Sequence, residues 1–201
     1  MSLNTMRVEE VKELEDVVEV RLKGEMEEPS PGQFVSLVVP GQGEYALAIG
    51  GYEEGGLILY VESLRLRRIL TRGSKVLIKG PLGRPLDLRA SKVIGAAEGK
   101  HKYDLLFPLH KSREGGAEVM LIELRELKEE GGAEVLISAG LDSLKGLRLR
   151  KDWFLFVRWV KMNCMLGVCG ICEFKGIIPC VEGPFVRVWE LEDKGEGLSR
   201  G

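Results

Sequence analysis

The chain reads as α+β and multi-domain: an N-terminal β-barrel, a reduced α/β layer and a C-terminal cysteine-cluster segment. Three observations carry this reading. Val-rich runs punctuated by turn formers fill residues 1–88. Strand-like and helix-like runs then alternate through residues 89–150. All four cysteines lie in the single stretch "NCMLGVCGICEFKGIIPC", residues 163–180, within the final segment 151–201.

In the first segment, "VVEVRLKG" (17–24), "QFVSLVVP" (33–40), "GLILYVES" (56–63) and "KVLIKG" (75–80) have the β-branched content and partial alternation of strands. The turn formers "EEPSPGQ", "PGQGE", "EEGG", "TRGS" and "GPLG" lie among them. Strands at that spacing predict a small barrel or sandwich. "SLRLRRIL" predicts a strand-to-helix transition carrying Arg65, Arg67 and Arg68. In the second segment, "SKVIGAA" (91–97), "AEVMLIEL" (117–124) and "AEVLISAG" (133–140) predict buried strands. The intervening "YDLLFPLHKSREGG" (103–116) and "RELKEEGG" (125–132) predict helices, each closed by a Gly pair. Alternating strand and helix implies a small parallel layer. "RKDWFLFVRWVKM" (150–162) is the most aromatic stretch, and "GPFVRVWELED" (183–193) predicts a closing strand before a polar, fraying tail.

Composition sets limits on function. At 201 residues the chain suits one large domain or two to three small ones. A 44% hydrophobic content is enough for a packed core, and a net charge of −2 offers no broad basic field for nucleic acid. No apolar run approaches the roughly 18 residues of a membrane span. The N-terminus is charged and has no apolar signal core, so the expected location is cytoplasmic. Gln and Asn are scarce (Gln33, Gln42, Asn4 and Asn163) while Glu, Lys and Arg abound, a thermophile-type bias.

The cysteine spacing is Cys164-x4-Cys169-x2-Cys172-x7-Cys180. Four soft thiolates suit an iron–sulfur cluster or zinc. C-x4-C-x2-C with a later fourth Cys is the ligand spacing of plant-type [2Fe-2S] sites. Gly167 and Gly170 permit the close backbone approach and positive φ of a loop arched over inorganic sulfide. Met165, Leu166, Val168 and Ile171 would shield the group from water. Structural Zn²⁺ prefers two close Cys pairs, whereas only one C-x2-C occurs here. Two disulfides are the third alternative, one that a reducing compartment disfavours.

The segment "KMNCMLGVCGIC…CVEGPFV" resembles the cluster segment of the dihydroorotate dehydrogenase electron-transfer subunits. The match is carried by Met162, Cys164, Gly167, Cys169, Cys172, Cys180, Gly183 and Pro184. Upstream, "PGQFVSLVVPG" (31–41) and "GSKVLIKGPLGRPLDL" (73–88) are similar to segments of the ferredoxin-reductase-like flavoproteins that include this family. The resemblance implies a ferredoxin-reductase-like FAD-binding barrel, a nicotinamide-domain-like α/β layer and an appended [2Fe-2S] segment, with the four cysteines as ligands. It implies a flavoprotein of electron transport, acting in pyrimidine biosynthesis. A partner catalytic subunit would oxidise dihydroorotate, and its electrons would pass through the cluster to FAD and then NAD.

Several residues depart from the family pattern. The flavin motif aligns with Tyr45, Ala46, Leu47 and Ala48, with Tyr45 in place of an Arg that pairs with pyrophosphate and Ala48 in place of a Ser. At the glycine turn that approaches the phosphates stand Leu64 and Leu66, with Arg65, Arg67 and Arg68 as compensating charge. The dinucleotide turn reads "GAAEGKHKYDLL", where Glu98 would repel a pyrophosphate, and the usual last strand before the cysteines is replaced by "RKDWFLFVRWV". FAD retention is therefore left open, and NAD is disfavoured. His101 and His110 read as solvated or packed side chains. Trp153, Phe154, Phe156 and Trp159 read as core more than as a partner-binding surface. No acid, base or nucleophile stands out. The expectation is a non-catalytic redox subunit in a hetero-oligomer. The alternatives are a flavin-free ferredoxin-like carrier and a zinc-clipped scaffold without redox chemistry.

Overall fold

The computed structural model describes residues 2–128 and 131–192. The expected tail lies outside them. Six antiparallel strands close into a barrel of order β1-β2-β5-β4-β3-β6. They are β1 (Ser2–Glu13), β2 (Val18–Lys23), β3 (Phe34–Val39), β4 (Gly43–Glu53), β5 (Gly56–Val61) and β6 (Lys75–Leu82). Helix α1 (Leu64–Ile69) links β5 to β6, with the Ser63 hydroxyl accepting from the Leu66 N–H at its start. Alternate residues such as Val35, Leu37, Val76 and Ile78 fill the barrel interior.

Two of these strands were not among the four predicted from the sequence. Strand β1 begins in the charged N-terminus, and β4 contains Gly50, Gly51 and four alanine or glutamate positions (Glu44, Ala46, Ala48 and Glu53) of low strand preference. Both are held by neighbours on either side, β1 between β2 and β6, and β4 between β3 and β5.

The second sheet has the order β11-β10-β9-β7-β8. Strands β7 (Lys92–Ala97), β8 (Glu118–Glu123), β9 (Glu134–Ser138) and β10 (Phe154–Phe156) run parallel, and β11 (Phe185–Arg187) is antiparallel to β10. A single 3-10 turn (Gly99–Asp104) and helix α2 (Leu106–Glu114) connect β7 to β8. The helix expected over 125–132 is absent from the described part of that link, which holds only a 3-10 turn at Leu124–Glu126. The polar run offers Leu127 and little else to bury, so it lacks the apolar stripe that holds a helix on a sheet. Helix α3 (Leu141–Leu144) follows β9.

The aromatic stretch corrects another expectation. Residues 154–156 form a parallel strand beside β9, so a short last strand is present before the cysteines. Trp153 and Phe154 are buried core, while Phe156 and Trp159 are partly buried. The predicted closing strand stops at Arg187 and turns into helix α5 (Val188–Glu192).

The segment between β10 and β11 crosses back onto the barrel. Outward-facing Phe34 of β3 and Leu82 of β6 are paired across the ladder. They pack with Met165, Cys172 and Cys180 into one buried cluster. At the same seam, Gly83 has φ +79° and its Cα is so close to the Gly183 carbonyl that an added Cβ would lie 2.5 Å from that oxygen. The "GPLG" and "EGPF" segments thus meet backbone to backbone, with Arg84 N–H donating to the Gly183 carbonyl at 2.7 Å.

Candidate functional site: a cysteine loop beside an interdomain cleft

The cysteine loop is shaped by backbone conformation. Met165, Gly167 and Gly170 have φ of +55°, +78° and +67°. Such alternation turns successive N–H groups toward one side, forming a concavity that favours anions. Here those N–H groups meet sulfur. The Leu166 N–H lies 3.4 Å from Cys164 Sγ. That bond, then Cys169 and the Val168 N–H, draw the Cys164 thiol down to about 6. Beyond Cys172 the chain makes a tight hairpin, with Phe174 bridged to Ile177 and Lys175 and Gly176 at φ +50° and +76°. It then enters helix α4 (Pro179–Glu182), which carries Cys180. Cys172 Sγ lies 3.3 Å from Cys180 Sγ. Burial, then Cys172, pushes the Cys180 thiol up to about 12, against the Gly167 N–H.

The four free thiols therefore form two close pairs, Cys164 with Cys169 and Cys172 with Cys180. Among the described residues no three His, Cys, Asp or Glu side chains converge on one metal-ion position. The second pair is buried against the barrel, and Cys169 is exposed. Of the four side chains expected to shield the group, only Met165 is buried; Leu166, Val168 (80%) and Ile171 (58%) of the same loop are exposed, as is Val181 beside Gly167.

A cleft of about 420 Å³ opens between the barrel and the second sheet. Tyr45, Ala46, Leu47 and Ala48 line it, as do Phe156, Val160 and Met162 from the segment leading into the cysteines. The sequence-predicted arginines do not. Arg65 donates to Gln42 Oε1 at 2.9 and 3.2 Å and lies 6.0 Å over the Tyr45 ring. Arg67 donates to the Val61 and Asp16 carbonyls and pairs with Glu13. Arg68 is exposed.

The cation in the cleft wall is one that sequence reasoning missed. Arg158 pairs with Asp104 and, at 2.7 Å, with Glu62. Ser138 Oγ donates to Asp104 at 2.6 Å, and Lys100 reaches Glu62 at 3.0 Å. Burial raises the Asp104 carboxyl, opposed by Arg158 and Ser138. Burial also acts to raise Glu62, but Lys100 and Arg158 outweigh it and hold that carboxyl low. Beside this network Tyr60 of the barrel stacks on Tyr103 of the second unit, with centroids 4.4 Å apart. The one available signal was an Arg inside the apolar run "WFLFVRWV", since a charge embedded in such a run needs a partner.

The predicted obstacle at Glu98 has a definite role. Its carboxylate accepts from the Ser143 hydroxyl at 2.8 Å and from the Gly140 N–H at 3.3 Å. It therefore occupies the crevice at the carboxyl ends of β7 and β9, where open α/β sheets take ligands. His101, near Glu98, is mostly buried, and His110 is exposed on α2.

No family model matches the chain. It is 26% identical over 202 residues to the probable dihydroorotate dehydrogenase B (NAD(+)), electron transfer subunit, of Thermoplasma volcanium, with 80% of each chain covered. The protein of the same name from Methanopyrus kandleri is 24% identical over 237 residues, covering 92% of this chain and 90% of the relative. Among solved structures, an NADH-dependent reduced ferredoxin-NADP oxidoreductase superposes with a TM-score of 0.68 at 19% identity, covering 92% and 88%. Phthalate dioxygenase reductase, described as modular for electron transfer from pyridine nucleotides to [2Fe-2S], gives 0.61 at 15% identity, covering 85% of each chain. The chain is thus related in sequence to the dihydroorotate dehydrogenase B electron-transfer subunits and has the ferredoxin-reductase-like fold.

Proposed function

We propose that this chain relays single electrons through a [2Fe-2S] cluster held by Cys164, Cys169, Cys172 and Cys180, as the electron-transfer subunit of a dihydroorotate dehydrogenase-type oxidoreductase. The paired arrangement of the sulfurs carries the reading. A two-iron cluster with four cysteines takes its ligands two to each iron, and the loop presents Cys164 with Cys169 and Cys172 with Cys180. Four-cysteine structural zinc sites usually show two close sequence pairs, whereas only one C-x2-C occurs here.

The cluster would supply a reversible one-electron charge. The chain's part is to make that charge tolerable. The Leu166, Gly167 and Val168 N–H groups face sulfur and stabilise added negative charge. Phe34, Leu82 and Met165 exclude water from the inner pair. The exposed apolar rim of Leu166, Val168, Ile171 and Val181 suits docking of the partner catalytic subunit. Exposed Cys169 at that rim keeps the transfer distance short.

The cleft does not suit FAD in the manner the resemblance implies. Glu44, Glu62 and Asp104 line it, and Arg158 is engaged by two of these. Lys161 is the one other cation among the described lining residues. A pyrophosphate there meets committed cations and unfavourable charge. This favours the flavin-free carrier, so no flavin step forms part of the proposal. The Glu98 contacts similarly disfavour NAD.

Anaerobic reconstitution with iron and sulfide tests the reading. The expected product is reddish-brown, with about two irons and two acid-labile sulfides per chain and no flavin released by acid. One zinc per chain, without iron or sulfide, would overturn it in favour of the scaffold alternative. Stoichiometric FAD would restore the flavin branch.

A further inference from the structure

Side chains of the barrel interior alternate with an outward row that the cysteine segment covers. Ser36 of β3 and Lys79 of β6 are ladder partners in that row. Glu44 of β4 lies on the same face, two residues along from the Ser36–Ala46 pair. Lys79 Nζ pairs with Glu44, and the Ser36 hydroxyl donates to Glu44 at 3.1 Å. Ser36 is fully buried, and the Lys79 side chain is only 11% exposed. Beyond the barrel, Lys79 Nζ donates to the Cys164 carbonyl at 3.0 Å. Glu44 also lines the interdomain cleft.

A lysine buried on a barrel face is costly unless its charge is paired and its protons are bonded. An apolar residue such as Val38, which neighbours Ser36 on that face, would pack the loop against the barrel without that cost. A cation held by a carboxylate that a hydroxyl braces in turn, with a proton left for the backbone of the first cysteine, does more than fill space. It fixes where Cys164 sits and puts positive charge beside it.

We propose that Lys79, held by Glu44, whose carboxylate Ser36 braces, is the positioning residue of the cysteine loop and biases the potential of the group bound there. The second half of this rests on the cluster reading; the first half does not. Removing the Lys79 charge disfavours the more negative, reduced state. Removing the Glu44 charge leaves Lys79 uncompensated and favours that state. The two changes therefore shift the potential in opposite directions, which a purely structural contact would not do.

The test compares wild type with Lys79→Met, Lys79→Arg and Glu44→Gln after anaerobic reconstitution. Dye-coupled redox titration should place Lys79→Met at a more negative potential and Glu44→Gln at a more positive one. Lys79→Arg should stay near wild type. Lys79→Met should also lose iron to a chelator about tenfold faster. Shifts of the same sign, or none, overturn the bias. Should Lys79→Met fail to fold, absence of a positive shift in Glu44→Gln overturns it alone. Amide exchange in the metal-free protein tests positioning separately: residues 162–168 should lose protection in Lys79→Met, and unchanged protection overturns that half. If wild type takes up no iron, the cluster reading fails while the exchange result still decides the role of Lys79.

Discussion

The cysteine loop and the interdomain cleft share one continuous stretch, residues 156–180, but they treat their polar groups in opposite ways. In the loop, positive-φ residues turn N–H groups onto thiols, and the thiols stand in two pairs among apolar side chains. In the cleft, the polar groups are already spent on each other, with Arg158 bound to Asp104 and Glu62, and Ser138 and Lys100 completing the network. A loop of that kind has bonding capacity for a ligand richer in negative charge than its own thiols. A cleft of that kind gains little from an anionic ligand, which would have to displace a carboxylate from a guanidinium. Within one fold, a site can thus be kept for a cofactor or closed by its own side chains.

The comparison breaks most directly at the inner cysteine pair. Cys172→Ser or Cys180→Ser should reduce reconstituted iron to a small fraction of wild type, because each removes one of two buried sulfurs that stand 3.3 Å apart. Iron retained in full by either variant would remove the paired-ligand argument. Next in size is Arg158→Met. It leaves the Asp104 and Glu62 carboxylates without their shared cation and should cost about 2–4 kcal/mol in urea unfolding, given partial exposure of the pair. The double change Arg158→Met with Asp104→Asn should recover part of that loss, and strict additivity would show that the two do not act together.

A smaller effect sharpens the loop side. Gly167→Ala places a Cβ 2.6 Å from Val181 Cγ2 at a φ of +78°. It should cost about 1–3 kcal/mol and speed iron loss, whereas the same change at Gly131, with nothing within 4 Å and no positive φ, should alter neither. The smallest expected effect is a pH dependence. Burial, then Arg158, lowers the His101 pKa below its ordinary value. The folded state thus resists protonation. The stability present above the unfolded value of about 6.5 is lost as pH falls through the lower folded value. His101→Gln should flatten the acid limb of a stability profile in that window. An unchanged slope would place the acid sensitivity elsewhere in the network.

Much of the architecture was legible because it is written in short-range pattern. Val-rich runs between turn formers marked four of the six barrel strands, and "AEVLISAG" marked β9 within two residues. The C-x4-C-x2-C spacing and its glycines located the loop, because backbone reversal over a few residues depends on local φ. The failures share a cause. Strands β1 and β4 are stabilised by neighbours on both sides more than by their own composition. Strand β10 has only three residues and exists through its place between β9 and β11. Arg65, Arg67 and Arg68 carried the right charge, but α1 turns them to Gln42, to backbone carbonyls and to solvent.

Spacing along the chain thus settles which residues are close when few bonds separate them, and that covers the cysteine loop, the hairpin at Lys175–Gly176 and the order of elements. It does not settle which of several charges will meet across a hundred residues. Arg158 reaches Glu62, and Lys79 reaches the Cys164 carbonyl, only because barrel closure and the docking of the second sheet bring distant strands together. Those contacts are chosen by the desolvation each charge suffers once buried. That cost is absent from an extended chain and appears when the two units pack.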